Sequence, residues 1–121
     1  MANELTISIS ASASKGGASA SFPAVSKSID MTGNDMAYGT QAVGTSEEAL
    51  AIPGDIATIG CIAVKNLDAT NFVWIYQLTG ATTGRCKLLP GAALLFTPQA
   101  TTIYGLADTA PVNVAWFATE V

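Results

Sequence analysis

Residues 4–14, ELTISISASAS, alternate strictly between apolar and hydroxyl side chains. Successive side chains of a strand point to opposite faces. Leu5, Ile7, Ile9, Ala11 and Ala13 therefore share one face, and Thr6, Ser8, Ser10, Ser12 and Ser14 share the other. This pattern predicts a half-buried strand. Lys15-Gly16-Gly17 predicts a turn. ASASF continues as a second strand, with Ala18, Ala20 and Phe22 on one face. Beyond Pro23 the apolar positions resume with opposite parity at Val25 and Ile29, with Lys27 between them. That switch predicts a bulge or an edge position near Pro23. A low-complexity Ser/Ala linker is the competing reading, and the strict alternation argues against it.

Downstream, MTGNDM (31–36) predicts a turn and AYGTQAVGT (37–45) a strand. TSEEALAIPG (45–54) opens like a helix, with Thr45 as cap and Glu48 three residues on. Pro53 and Gly54 leave room for little more than one turn, so a loop or short extended segment is expected. Strands are expected within 56–67, 71–78, 85–89, 92–98, 101–108 and 112–120, separated by Gly, Pro, Asn, Asp and Thr turns. Pro90-Gly91 is a type II turn signal. Roughly eight to ten short strands result, which predicts an all-β fold, a β-sandwich or jelly-roll-like domain over 31–121 with an N-terminal β-hairpin arm over 1–30. Within 71–78, Phe72, Trp74 and Tyr76 alternate with Val73 and Ile75. The aromatic face is expected to pack into the core, and the other to be covered by a second sheet segment or a neighbouring subunit.

Composition changes this picture in one respect. Half of the 121 residues are hydrophobic and only 12% are charged, against a charged share of about 25% in ordinary domains. Mean hydropathy is +0.41. No apolar run reaches the ~18–20 residues of a membrane helix, and MANELTISIS lacks the basic start and apolar stretch of a signal peptide. Neither membrane insertion nor export is expected, so the apolar surplus predicts surface hidden against other chains. A net charge of −4 with no basic patch argues against nucleic acid as a partner.

The candidate chemistry is sparse. There is no histidine, which excludes a His-based triad or a His metal site. Glu47 and Glu48 are the only adjacent acids. Strand neighbours point apart, so a solvated loop is the expected reading of this pair. No phosphate-binding glycine loop occurs, and DMTGND lacks the spacing of a calcium loop. Cys61 and Cys86 lie in apolar or strand-like stretches and are expected to be buried free thiols, with a strand-to-strand disulfide left open by the spacing. No catalytic residue, metal or cofactor is expected, and the protein is read as a non-enzyme. Phe72, Trp74 and Tyr76 form the one alternative ligand platform, a row on which a host-surface sugar would stack in a carbohydrate-binding or adhesion module. A sugar site also needs convergent polar groups.

The stretches GTSEEALAIPGDIATIGCIAVKNLDATNFVWI and CKLLPGAALLFTP, with IYGLADTAPVNVAWFATEV, carry a resemblance. Gly44-Thr45, Glu47 to Leu50, Lys65 to Asp68, Thr70 to Val73, Lys87-Leu88, Pro90-Gly91 and Ala93 to Phe96 match in order, as do Ala107 and Thr109-Ala110. Together they resemble small structural proteins encoded by tailed bacteriophages. The chain departs from that pattern at Ala92, where an acid is expected, and in its last residues, where the family tends to end acidic. The resemblance implies a β-sandwich virion component, a head decoration or minor capsid or tail part, assembled in the host cytoplasm. It carries over no catalytic residue. The matched motifs are largely turns and the strands they join, which speak to fold more than to task. The expected partners are further copies of the chain and other virion proteins. The N-terminal arm lies outside the resemblance, and its Leu5, Ile7, Ile9, Phe22 and Val25 are the candidate interface residues.

Overall fold

The computed structural model describes residues 4–31, 33–99 and 101–120, with the side chains of Ala24 and Val25 left aside. All regular structure among these residues is β, as the alternation predicts. The chain divides into two compact units between residues 32 and 33, close to the boundary expected after residue 30.

The first unit is a two-stranded antiparallel ribbon of β1 (Leu5–Lys15) and β2 (Ala18–Ile29). Gly16 and Gly17 join the strands, with φ of 60° and 84°. Two successive positive φ values define the tight hairpin turn whose twist matches that of the strands, and only glycine takes both without strain. From Ile9↔Val25 the register passes to Ala11↔Phe22. β2 thus advances three residues while β1 advances two. The extra residue lies at Pro23 and Ala24, where the parity switch predicts it. The bulge returns the apolar residues on both sides of Pro23 to a single face.

Among the described residues the second unit holds eight strands in two antiparallel four-stranded sheets. One has the order β3 (Met36–Val43), β10 (Val112–Glu120), β5 (Ile59–Asn66), β8 (Ala93–Phe96). The other has the order β4 (Glu48–Ala49), β9 (Tyr104–Ala107), β6 (Val73–Tyr76), β7 (Cys86–Leu88). One hydrophobic cluster joins them. Val43, Ile62, Val64, Val112, Val114 and Ala118 come from the first sheet; Val73, Ile75, Leu88 and Ala107 come from the second. Gly105 of β9 lies so close to Val43 that an added Cβ would stand 3.1 Å from its side chain.

Two turns brace this core. Pro90-Gly91 forms the predicted turn, with Gly91 at φ 78° and the Ala92 amide donating to the Leu89 carbonyl at 2.9 Å. In NLDATN the Asp68 carboxylate accepts from the Asn71 and Thr70 amides at 2.6 and 2.9 Å. Those donors hold its pKa below the usual carboxylate range, the Asn71 amide most strongly. Asn66 ties the two turns together. It is fully buried, and its Nδ2 donates to the Asn71 and Leu88 carbonyls at 2.9 and 3.0 Å. Its Oδ1 accepts from the Asp68 amide at 2.8 Å. Every hydrogen-bonding direction of a buried amide needs a partner, and here each partner belongs to a turn that must stay closed.

Candidate functional site

The aromatic row at 72–76 lies on the opposite face of its strand from the one expected to enter the core, although Tyr76 on that face is buried while Phe72 and Trp74 are half-buried. Val73 and Ile75 enter the core and are buried. Trp74 and Tyr76 lie on the outer face of their sheet, with Phe72 just before the strand on the same side. The reason is what covers each face. The β-branched side meets the apolar inner face of the other sheet. The aromatic side is covered by Lys87 of the neighbouring strand, which the β6–β7 register sets opposite Trp74, and by Arg85 just before that strand. The Lys87 ammonium lies 4.2 Å from the Phe72 ring centre, and the Arg85 guanidinium 4.8 Å from that of Tyr76. Both also approach Trp74, at 5.8 and 6.0 Å. Phe72 meets Trp74 edge-on at 5.2 Å, and Tyr76 stacks on Tyr104 at 5.9 Å. Cations over ring faces are attracted by the ring quadrupole. They also occupy the faces on which a sugar would stack.

Glu47 completes this surface. Its carboxylate accepts from the Tyr76 hydroxyl at 2.6 Å, the Thr79 hydroxyl at 2.6 Å and the Gly80 amide at 2.8 Å. The Thr79 hydroxyl leads the effects that hold its pKa below the usual range, ahead of Tyr76 and Gly80. Burial, with Glu47 alongside, pushes the Tyr76 phenol up to about 12. Glu48 serves a different loop, accepting from the Gln41 side-chain amide at 3.0 Å and the Gly44 amide at 3.3 Å. The two glutamates are thus parted, as strand neighbours should be, but they are loop clasps rather than the freely solvated pair expected. Cys61 is a buried free thiol, and burial raises its pKa. Cys86 is free but exposed, on edge strand β7, which corrects its expected burial. No group of His, Cys, Asp and Glu suited to a metal occurs among the described residues.

The interface candidates come together on the ribbon. The register aligns Leu5 with Ile29, Ile9 with Val25 and Ala11 with Phe22. Leu5, Ile7, Ile9 and Phe22 therefore share one largely apolar face with Ala11, Ala13, Ala18 and Ala20, a face that also carries Lys27 opposite Ile7 and Lys15 opposite Ala18. Val25 stands opposite Ile9 in backbone register, and its side chain lies outside the described residues. Leu5 is buried and Ile7 half-buried, but Ile9 is 40% exposed and Phe22 55%. The opposite face carries Thr6 and the serines, all exposed. Among the described residues β1 and β2 pair only with each other, so both outer strand edges are unpaired.

A second apolar surface escaped the sequence reading. On the outer face of the β3–β10–β5–β8 sheet, Tyr38, Phe117, Ala63 and Leu95 stand side by side in register. Thr40, Ala115, Lys65 and Ala93 form the next row. Tyr38 is 84% exposed. An open concavity of about 500 Å³ lies over the small residues, with Tyr38 and Phe117 among its lining. The signal was present: CIAV in β5 and VAWFA in β10 are apolar at both parities, as in strands with two covered faces. No protein-family model matches the chain, and neither a curated protein nor a solved structure does.

Proposed function

We propose that the chain is a non-enzymatic structural subunit of a tailed-bacteriophage virion, a head decoration or minor capsid or tail component that self-assembles or docks on the particle. The observation that carries this reading is the β1–β2 ribbon, with one largely apolar face, one hydroxyl face and, among the described residues, no third strand. An isolated two-stranded hairpin is marginal in water. Exposed strand edges and contiguous apolar surface are templates for another chain. A ribbon of this kind is stabilised by being covered, which is the work of an assembly element.

The resemblance to phage structural proteins supplies the virion part of the proposal. Its motifs are the clasps and turns built by Glu47, Glu48, Asn66, Asp68 and Gly91, so they support a shared fold and no chemistry. We further infer a jelly roll for residues 33–121. Numbered one to eight in chain order, the strands of one sheet run 1-8-3-6 and those of the other 2-7-4-5. That interleaving is the jelly-roll order, found in both viral capsid and lectin domains. The glycan-binding alternative has less support, because Arg85 and Lys87 occupy the ring faces it needs.

Sedimentation of the full chain over a wide concentration range tests the reading. A stable oligomer is expected, and Phe22→Asp or Ile9→Asp should weaken it with the far-ultraviolet dichroism unchanged. An antibody against the protein should label virions in electron micrographs. A monomer at every concentration, together with unlabelled virions, would overturn the proposal.

A further inference from the structure

We propose that the outer face of the β3–β10–β5–β8 sheet binds a small amphiphilic anion, an aliphatic chain ending in a carboxylate or sulfate, with the head at Lys65 and the chain over the small residues beside it. Such a site is independent of the assembly reading above. Lys65 stands in the middle of an apolar surface. The register sets it between Ala115 and Ala93, and Ala63 precedes it on the same face. The four strands of this sheet hold two charged residues, Lys65 and Glu120. Glu120 lies at the far end of β10, where it accepts from the Asp35 amide. Among the described residues the exposed Lys65 ammonium meets no carboxylate. Lysine lays its apolar stem along such a surface and keeps its charge at the rim. An anion that meets it there is held more strongly than in bulk water, because the apolar neighbours lower the local dielectric.

The concavity beside Lys65 is the place for the chain. It is open, measures about 500 Å³, and has a floor of Gly39, Ala63, Ala93 and Ala115 with Tyr38 and Phe117 along it. None of its lining residues is acidic. Sites for small molecules run to about 300–1,000 Å³ and combine an apolar lining with a few polar groups. Here those groups are Lys65 and Thr40, which share one row on either side of Ala115. Two strand spacings, roughly 10 Å, separate their backbones. A head group over Ala115 is therefore within reach of an ammonium and a hydroxyl together. The chain then runs over Ala63 against Phe117 and covers Tyr38, which is 84% exposed. The net charge of −4 makes a preference for anions informative, because it runs against the field of the whole molecule. A lysine placed only to keep an apolar face soluble would show no such preference.

The test uses the full chain with octanoate and octyl sulfate below their micelle concentrations. Octylammonium and octyl glucoside are controls with the same chain and a different head. Nuclear magnetic resonance follows the Ala93 and Ala115 methyl groups and the Tyr38 ring. Saturable shifts are expected with both anions, and binding about tenfold weaker or more with either control. Lys65→Gln should weaken octanoate by about tenfold, as expected for one charged hydrogen bond, whereas Lys65→Arg should keep it. Ala115→Leu fills the floor and should weaken both anions with unchanged dichroism; Ala93→Leu does so from the edge strand should the first variant fail to fold. If octylammonium or octyl glucoside binds as tightly as octanoate, or if Lys65→Gln binds octanoate undiminished, no head group is recognised and the proposal is overturned. If the shifts fall on Ile9 and Phe22 instead, the amphiphile covers the ribbon and the sheet face is not the site. The absence of any saturable shift up to the micelle concentration would refute the site outright.

Discussion

Asn66 shows how one side chain holds two motifs that lie apart in sequence. Replacing it with Ala leaves the Leu88 and Asn71 carbonyls without a donor and the Asp68 amide without an acceptor. Unsatisfied buried groups are costly, so Asn66→Ala should destabilise the protein by about 2–4 kcal/mol in chemical denaturation. A loss below about 0.5 kcal/mol would show that the turns close without it. Thr119 presents the converse case. Its hydroxyl is buried with no partner among the described residues, opposite Cys61 in the β10–β5 register. Thr119→Val removes a polar atom that makes no bond and should raise stability by up to about 1 kcal/mol; destabilisation would mean the hydroxyl has a partner. The turn chemistry of NLDATN was legible because Asp and Thr act on amides within three residues. Asn66 was not, because its second carbonyl partner, on Leu88, lies 22 residues away.

Among the elements, β6 teaches most about where pattern reasoning stops. Alternation correctly separated Val73 and Ile75 from Trp74 and Tyr76, but parity alone does not say which face is inward. Size and hydrophobicity favour burying aromatics, whereas here Lys87 on β7, Arg85 just before it and Glu47 before β4 make the outer face habitable for them. The clasp between Glu47 and Tyr76 has a pH signature. The folded pKa of Glu47 is depressed, so its contribution is complete above the ordinary value of 4.5 and is lost as pH falls through the lower folded value. The folded pKa of Tyr76 is raised, so its contribution is present below 10 and is lost as pH climbs towards about 12. Nuclear magnetic resonance should show the Gly80 amide inflecting below pH 4.5 and the Tyr76 ring titrating near 12. In Glu47→Gln the Tyr76 midpoint should fall. An unchanged Tyr76 midpoint in that variant would show that burial alone sets it.

Across the whole molecule, the apolar surplus has an explicit address. The core of residues 33–121 absorbs part of it, and the rest lies on the ribbon face and the outer face of one sheet. The ribbon was legible, bulge included, because strict period-2 alternation and a Gly-Gly turn specify a hairpin without tertiary help. The outer sheet face was hidden because Ala63, Ala115 and Phe117 resemble core positions until the register sets them on the face that carries the exposed Tyr38. On the reading proposed above, the ribbon face is covered by another chain when the protein does its work. Hydrogen–deuterium exchange of the backbone over residues 5–29, followed across protein concentration, tests it most directly. Fast exchange is expected in dilute solution, with protection that grows in step with the sedimentation coefficient. Exchange over 5–29 that stays the same at every concentration while the protein is shown to be assembled would contradict it.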